Sequence, residues 1–542
     1  MNLGYRIIRC IQKIRPVLQK NSFATTGTVS DTKTLHYYFL DLFKRNDFIP
    51  MYLKKQKLNV DMKNSMQFAQ RILATNDISS LLRAIESAKD EKQIILHRID
   101  IECCDIIQKL SYTEILQLLN ALARKFPHRV TLTQFYKKSI EILMSAAMKQ
   151  TLSHLQTIEL LFYLSMNKKN SSSEVQYITS GLPNMINMSL IDKSIIAYAA
   201  FKTYVKLNAT QIRVLEKTLE ENASFFVNDP ALLVTLCKAI RHAGVTKELS
   251  LNNLSGTILQ HQEKFRMKCA AHVLALYAEA YTSFQPVLQR MFKDSMEELS
   301  ENIMHRSKDS IRIKDLDRLL WAGSRLNYQL EKKEFSQIQI FIQNNFSKYL
   351  KNVNLLVNTL LCLKIMEHDC KKIIEKCLEQ NIFPSIYKGL LWKPMARLQL
   401  LITSIQIENP EIDIPIELTK EFKVGFKVGE NIKMIFKVIR TLKELTCLDQ
   451  IRIECPVLGL YIPGISVEHQ HLGKIHIDIL DEITCLRNTR IPHGLMHFKL
   501  RLLKKLGYYS ILIDNDRLNN NESIYEIIEQ YLTDSLGRYD ND

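Results

Sequence analysis

Glycine and proline are scarce in this chain, at 15 and 13 of 542 residues. An all-β protein needs many tight turns, so the shortage argues against one and for helices. The eleven cysteines include no CxxC pair. That removes the common zinc spacings, and an odd, dispersed set within apolar runs reads as reduced core thiols rather than a disulfide scaffold. Cys370 and Cys377 stand two helical turns apart, which suits a shared buried face. No apolar run reaches the roughly 18 residues that a transmembrane helix needs. Acid is missing too: no Asp or Glu precedes Asp31, whereas Arg6, Arg9, Lys13, Arg15 and Lys20 do.

What is present is positive charge and apolar bulk. The net charge is +16, and 46% of residues are hydrophobic. The first points to an anionic partner, nucleic acid or a membrane surface. The second suffices for a large core, and the length exceeds what one compact core usually holds. In residues 1–30, Leu3, Ile7, Ile8, Ile11 and Ile14 recur at helical spacing opposite the cations, and a Ser/Thr-rich tail follows. This is the pattern of a mitochondrial presequence, with cleavage plausible near Phe23. A basic helix kept on the mature chain is the other reading. Residues 31–74 read as a linker with entry helices.

From residue 75 to 400 the apolar positions follow helical periodicity. Apolar helices open near Ile158, Ile195, Leu232 and Cys269, about 37 residues apart, with more polar helices such as "TQIRVLEKTLEENASFF" between them. One apolar and one amphipathic helix per unit describes an α-hairpin repeat. Such units must stack to bury their faces, giving a solenoid with an extended concave surface. An irregular all-α domain with evenly spaced helices is the alternative. After residue 400 the texture changes. Segment 401–470 connects to a C-terminal region, 471–538, where "KIHIDIL" from Lys474 alternates as a half-buried strand. "GLMHFKLRLLKK" reads as a basic amphipathic helix buried through Phe498, Leu502 and Leu506, with Pro492 in its first turn. Gly507 suits its left-handed stop, and "YYSILI" re-enters a sheet. Ser523 and Glu526 make a capping-box pattern for a last helix. The fold class expected is mainly α: a helical-hairpin repeat solenoid, then a small C-terminal α/β domain.

"IDILDEITCLRNTRIPHGLMHFKLRLLKKLGYYSILI" resembles a RAP domain, which has a short acidic strand, a loop, a glycine before a basic helix, a "GY" turn and a final strand. With the helical repeats, the "LNY" at Leu326–Tyr328 and the presequence, the chain resembles the FAST kinase domain-containing family of mitochondrial RNA-binding proteins. Its residues carry no kinase chemistry: there is no glycine-rich nucleotide loop, no HRD and no DFG, and Gly425 and Gly429 lack phosphate-loop spacing. The resemblance implies a restriction-endonuclease-like fold for the RAP domain, in which two carboxylates and a lysine serve a metal ion. Asp478 stands where a carboxylate is expected, and Asp481 and Glu482 follow it, but the E-x-K element is missing after Asp478. A magnesium-dependent endoribonuclease using these three is therefore an alternative to simple binding. His469 and His471, or His493 and His497, pair without a third ligand at a zinc spacing, so no metal site is assigned.

The basic cluster carries the principal expectation. Arg487, Arg490, Lys499, Arg501, Lys504 and Lys505 are unopposed in sequence, suited to phosphates, and His497 or Tyr508 suits stacking on an unpaired base. A solvated helix face is the plainer reading. The resemblance implies a protein of the mitochondrial matrix and its RNA granules that binds mitochondrial RNA and acts in transcript processing, maturation or stability. A protein scaffold for an RNA-processing or mitoribosome-assembly complex is the third reading.

Overall fold

The computed structural model describes residues 78–87, 93–127, 129–167, 171–182, 185–305, 311–389, 392–419, 431–443, 448–470, 472–482 and 484–514, with positions 39, 526 and 530. The presequence, nearly all of 31–74, His471 and, apart from two positions, the helix read from Ser523 lie outside the described residues. The chain is mainly helical, with a small four-stranded C-terminal sheet. No described helix is long and apolar enough to cross a membrane. The nine cysteines among the described residues are free.

The chain divides into two compact units, Met1–Leu182 and Pro183–Asp542. The first holds α1 (Ile78–Ser87), α2 (Gln93–Ile106), α3 (Tyr112–Lys125), α4 (Gln134–Met148), α5 (His154–Met166) and α6 (Ser172–Gly181). There α1 packs on α3, α2 on α4 and α3 on α5, the every-other-helix contact of stacked hairpins. Local chemistry sets the starts. Ser111 with Glu114 and Ser153 with Gln156 form capping boxes that satisfy orphan N–H groups at α3 and α5.

In the second unit one layer, here the front, consists of α7 (Leu190–Thr203), α10 (Pro230–Ala243), α12 (Met267–Glu279), α14 (Ile313–Arg325), α17 (Val353–Ile365) and α19 (Trp392–Glu408), each packed on the next. Behind it run α8 (Ala209–Glu221), α9 (Ala223–Val227), α11 (Asn252–Gln260), α13 (Gln285–His305), α15 (Lys332–Asn344), α16 (Phe346–Leu350) and α18 (Lys371–Glu379). Helices α7, α12 and α17 of this layer are apolar nearly all round, because neighbours cover both flanks and the back layer covers a third side, whereas α14 is amphipathic. Asp229 caps α10 just before Pro230, which needs no N–H there. Cys370 and Cys377 are both buried, as their spacing suggests.

The sheet orders β1 (Leu448–Glu454), β2 (Gly464–His469), β3 (Gly473–Leu480) and β4 (Tyr509–Asp514) consecutively. The first three are antiparallel; β3 and β4 are parallel, joined through α21 (Gly494–Lys505). β1 and β2 belong to this sheet, so a boundary at residue 471 cuts through it. Helix α20 (Asn431–Leu442) covers one face with Ile435, Val438 and Leu442 against Ile465, Val467, Ile475, Ile477 and Ile511. Helix α21 contacts β4 on one side and α14, α17 and α19 of the front layer on the other. It is a sandwiched helix, not a surface one. For that reason β3 is buried at every position from Ile475 to Ile479, where alternation had suggested half-burial. Pro492 precedes the N-cap, His493, rather than sitting in the first turn. Leu506 is exposed, not part of the buried stripe, while Gly507 takes the left-handed stop at φ +80°.

Gly494 opens α21 where the C-terminal domain meets α14. A methyl group there would overlap the carbonyl oxygen of Ser324, a backbone atom with little room to move. Asn327 nearby donates to the Pro492 carbonyl at 2.8 Å, and Asn488 exchanges hydrogen bonds with the Ser283 backbone. We expect Gly494→Ala to cost about 2–3 kcal/mol in urea unfolding and to speed proteolysis between the helices and the sheet. Wild-type stability in that variant would show that α21 does not seat on Ser324.

Candidate nucleic-acid interface

The basic cluster of α21 splits in three directions. Lys499 lies among the sheet's polar side chains at 1% exposure, with Nζ 2.5 Å from Asp478 Oδ1 and donating to the Ile462 carbonyl at 3.0 Å. Arg501 turns to the front layer. Its Nε donates to Glu408 at 2.7 Å, and its Nη2 to the Lys364 carbonyl at 2.5 Å. Lys364 reaches the same Glu408 at 2.7 Å. Lys504 and Lys505 are exposed, as is His497. The expectation of one basic face turned to RNA therefore fails for Lys499 and Arg501. A helix packed on two sides has no room for it, and each inward cation takes a carboxylate. Tyr508 is also engaged, its hydroxyl 3.4 Å from Glu454 and its ring edge-on to His476. Arg490 lies 4.0 Å from Asp514.

The three candidate carboxylates have separate partners. Asp481 closes its own loop through Thr484, accepting from its N–H at 2.9 Å and its hydroxyl at 2.8 Å. Glu482 is on the surface with Lys247. Asp478 is buried beside Lys499, the lysine that sequence spacing had not supplied. Among the described residues no three of His, Cys, Asp or Glu are grouped to hold a metal ion. Ser466 and His476 Nδ1 are 2.7 Å apart and His476 Nε2 is 3.7 Å from Asp478, but all three side chains are buried within the sheet's covered face, which no substrate reaches. Burial pushes the Asp478 carboxyl up, yet the Lys499 charge and the His476 contacts outweigh it and leave it below the usual range. Burial also holds His476 low.

A different set of cations is gathered on the front layer, on helices that sequence reading had treated as core. On α12, Lys268, His272, Ala275 and Glu279 share a face by helical spacing. Arg318 on α14 donates from Nη1 to His272 Nε2 at 3.0 Å. A guanidinium only donates, so Nε2 accepts and the ring is neutral with its proton on Nδ1. That assignment agrees with a pKa held well below normal by burial and then by Lys238, Arg318, Arg241 and Arg312. On α10, Arg241 pairs with Glu279 of α12 at 3.7 Å and lies over the Trp321 ring of α14 at 5.6 Å, so it links the three helices. The stack continues: Arg325 lies 5.6 Å from Trp321 and 4.8 Å from Tyr281, and Arg487 of the C-terminal domain 5.9 Å from Tyr281. Three arginines thus alternate with two aromatic rings, each contact typical of cation–π geometry.

These side chains reach solvent only in part. Lys238 is the extreme case: burial first, then Lys268, Arg318, Lys202 and Arg312, depress its pKa well below the lysine norm. Asp315 serves Arg312 bidentately, at 2.6 and 2.8 Å, and Arg318 at 3.7 Å. Asp317, whose carboxyl burial pushes up to about 6, is tied to Asn358 and Thr359. The signal was present in sequence as "LCKAIRH" and "RLLWAGSR", cations within apolar helices, and periodicity alone gave no way to tell which face they lined. No protein-family model matches the chain, and no curated protein matches it.

We expect Lys499→Met to cost about 3–5 kcal/mol, since it strands a buried carboxylate, and Asp478→Leu with Lys499→Met to recover most of it. The pH dependence follows from sign. In the wild type the depressed Asp478 contributes stability that is full above the ordinary carboxylate range and lost as the pH falls through its folded value. In Lys499→Met burial alone raises that carboxyl, so the deficit should shrink as the pH drops from about 7 toward 5. Urea unfolding at several pH values checks both; a deficit that grows on acidification would refute the pairing.

Proposed function

We propose that the protein binds single-stranded RNA across the front-layer helices α10, α12 and α14, and that it acts, as its resemblance to mitochondrial RNA-binding proteins implies, in processing or stability of transcripts in the matrix. One observation carries the reading: cations from three successive helices converge on one stripe with aromatic rings between them. Phosphates supply counter-charge to the lysines and arginines, and unpaired bases stack on aromatic or guanidinium planes. The exposed Lys504 and Lys505 add a second, weaker anchor at the C-terminal domain. Arg487, a sequence-expected contact, joins the stripe through Tyr281.

The rival interface is the C-terminal helix itself, and fluorescence anisotropy with an unstructured RNA separates the two. Lys238→Ala with Lys268→Ala should weaken binding about tenfold or more and make it less steeply dependent on salt. Lys504→Ala with Lys505→Ala should have the smaller effect. The reverse ranking would move the interface to α21. No RNA binding at any salt, with partners co-purifying after nuclease treatment, would replace the reading by the scaffold one.

A further inference from the structure

Two front-layer helices end in the same strained way. Tyr204 follows α7 and Tyr281 follows α12, both in the left-handed region, at φ +61° and +52°. In each the next N–H reaches back five residues, Val205 to the Ala200 carbonyl at 3.0 Å and Thr282 to the Tyr277 carbonyl at 3.1 Å. Glycine, or less often asparagine, ordinarily takes this place, because a larger side chain there crowds its own backbone. A tyrosine kept in it twice points to a use for the ring.

At Tyr281 the use is visible. Arg325 lies over its ring at 4.8 Å and donates to its hydroxyl at 2.6 Å, and Arg487 lies over the ring at 5.9 Å. Trp321 likewise meets two guanidiniums, those of Arg241 and Arg325. Both rings are half-buried and already engaged by arginine. Tyr204 differs: it is 42% exposed. Its ring meets His242 at 5.8 Å and 73°, and His242 meets Phe201 at 6.0 Å and 85°. His242 directly follows Arg241, so this aromatic corner continues the stripe along α10.

The surroundings favour one kind of ligand. Two residues before Tyr281 stands Glu279, which pairs with Arg241. Two residues before Tyr204 stands Lys202, whose Nζ lies over Tyr198 at 5.4 Å, and two residues beyond it is the exposed Lys206. Residues 193–215 and 230–247, which build the corner, contain no Asp or Glu. An arginine from a partner protein, the group that Tyr281 accepts, meets no carboxylate on these segments. A nucleotide brings a flat base for the ring and a phosphate for Lys206.

We propose that Tyr204 is the platform on which an unpaired base of the bound RNA stacks. The inference rests on the RNA reading and deepens it: Trp321 and Tyr281 hold arginines, and the base goes to the exposed ring at the end of the stripe. Every base has a face that stacks, so this contact holds a strand whatever its sequence.

The test is anisotropy of the full chain with one unstructured RNA and with the same strand lacking its bases. Tyr204→Gly should bind the base-bearing strand about tenfold more weakly, the scale of one base–aromatic stack, and the abasic strand as the wild type does. Tyr204→Phe, which keeps the ring, should bind as the wild type does. The melting temperature of Tyr204→Gly should equal or exceed the wild type's, since glycine relieves the left-handed strain. If it falls, Tyr204→Asn, which also tolerates that region, carries the comparison. Wild-type affinity for the base-bearing strand in the folded variant overturns the platform, leaves RNA binding standing and assigns the exposed ring to a protein contact. Equal losses on both strands overturn it too, since the ring then acts without a base. Failure of the wild type to bind either strand overturns the RNA reading itself.

Discussion

The ion pair between Lys499 and Asp478 decides how the C-terminal domain is assembled. Both groups are almost fully buried, and either alone is a large desolvation penalty. Together they attach α21 to the polar face of the sheet, the face that Ser466, His476 and Ser510 also line by strand register. The isoleucine face under α20 is one dry side of the sheet, and α21 lies on the other with Met496, Phe498, Leu502 and Leu503 buried beside the pair. With it, α21 is held between sheet and helices, and everything that helix presents is determined by two contacts instead of one.

The second contact passes the same logic to the helical layer. Arg501 and Lys364 share Glu408, whose carboxyl burial pushes up and whose two cations bring it back below the usual range. The C-terminal domain thus packs on α14, α17 and α19 of the front layer. The stack from Arg241 through Trp321, Arg325 and Tyr281 to Arg487 ties α10 and α14 to the domain. The Arg487 N–H, in the loop that precedes α21, also donates to the Tyr281 carbonyl at 2.6 Å.

Much of this architecture was legible residue by residue. The spacing of apolar helices, the glycine stop at Gly507 and the alternation of Ile475, Ile477 and Ile479 each correspond to a local rule, and local rules operate in the folded chain much as in the sequence. The candidate site was less legible. Lys499 and Arg501 look identical to Lys504 and Lys505 when only helical spacing is known. Lys238, Arg241 and Arg318 look like incidental polar residues in core helices.

What the sequence by itself determined is the helical character, the hairpin repeat and the presence of an α/β module with a basic helix, because propensity, periodicity and capping are properties of neighbours along the chain. What only the tertiary structure decided is where the charge goes. Asp478 meets Lys499 across 21 residues, Glu408 meets Arg501 across 93, and Arg318 meets His272 across 46. Whether a cation is spent on a buried carboxylate or turned toward a ligand depends on which helices pack side by side, and no spacing rule within one helix contains that information.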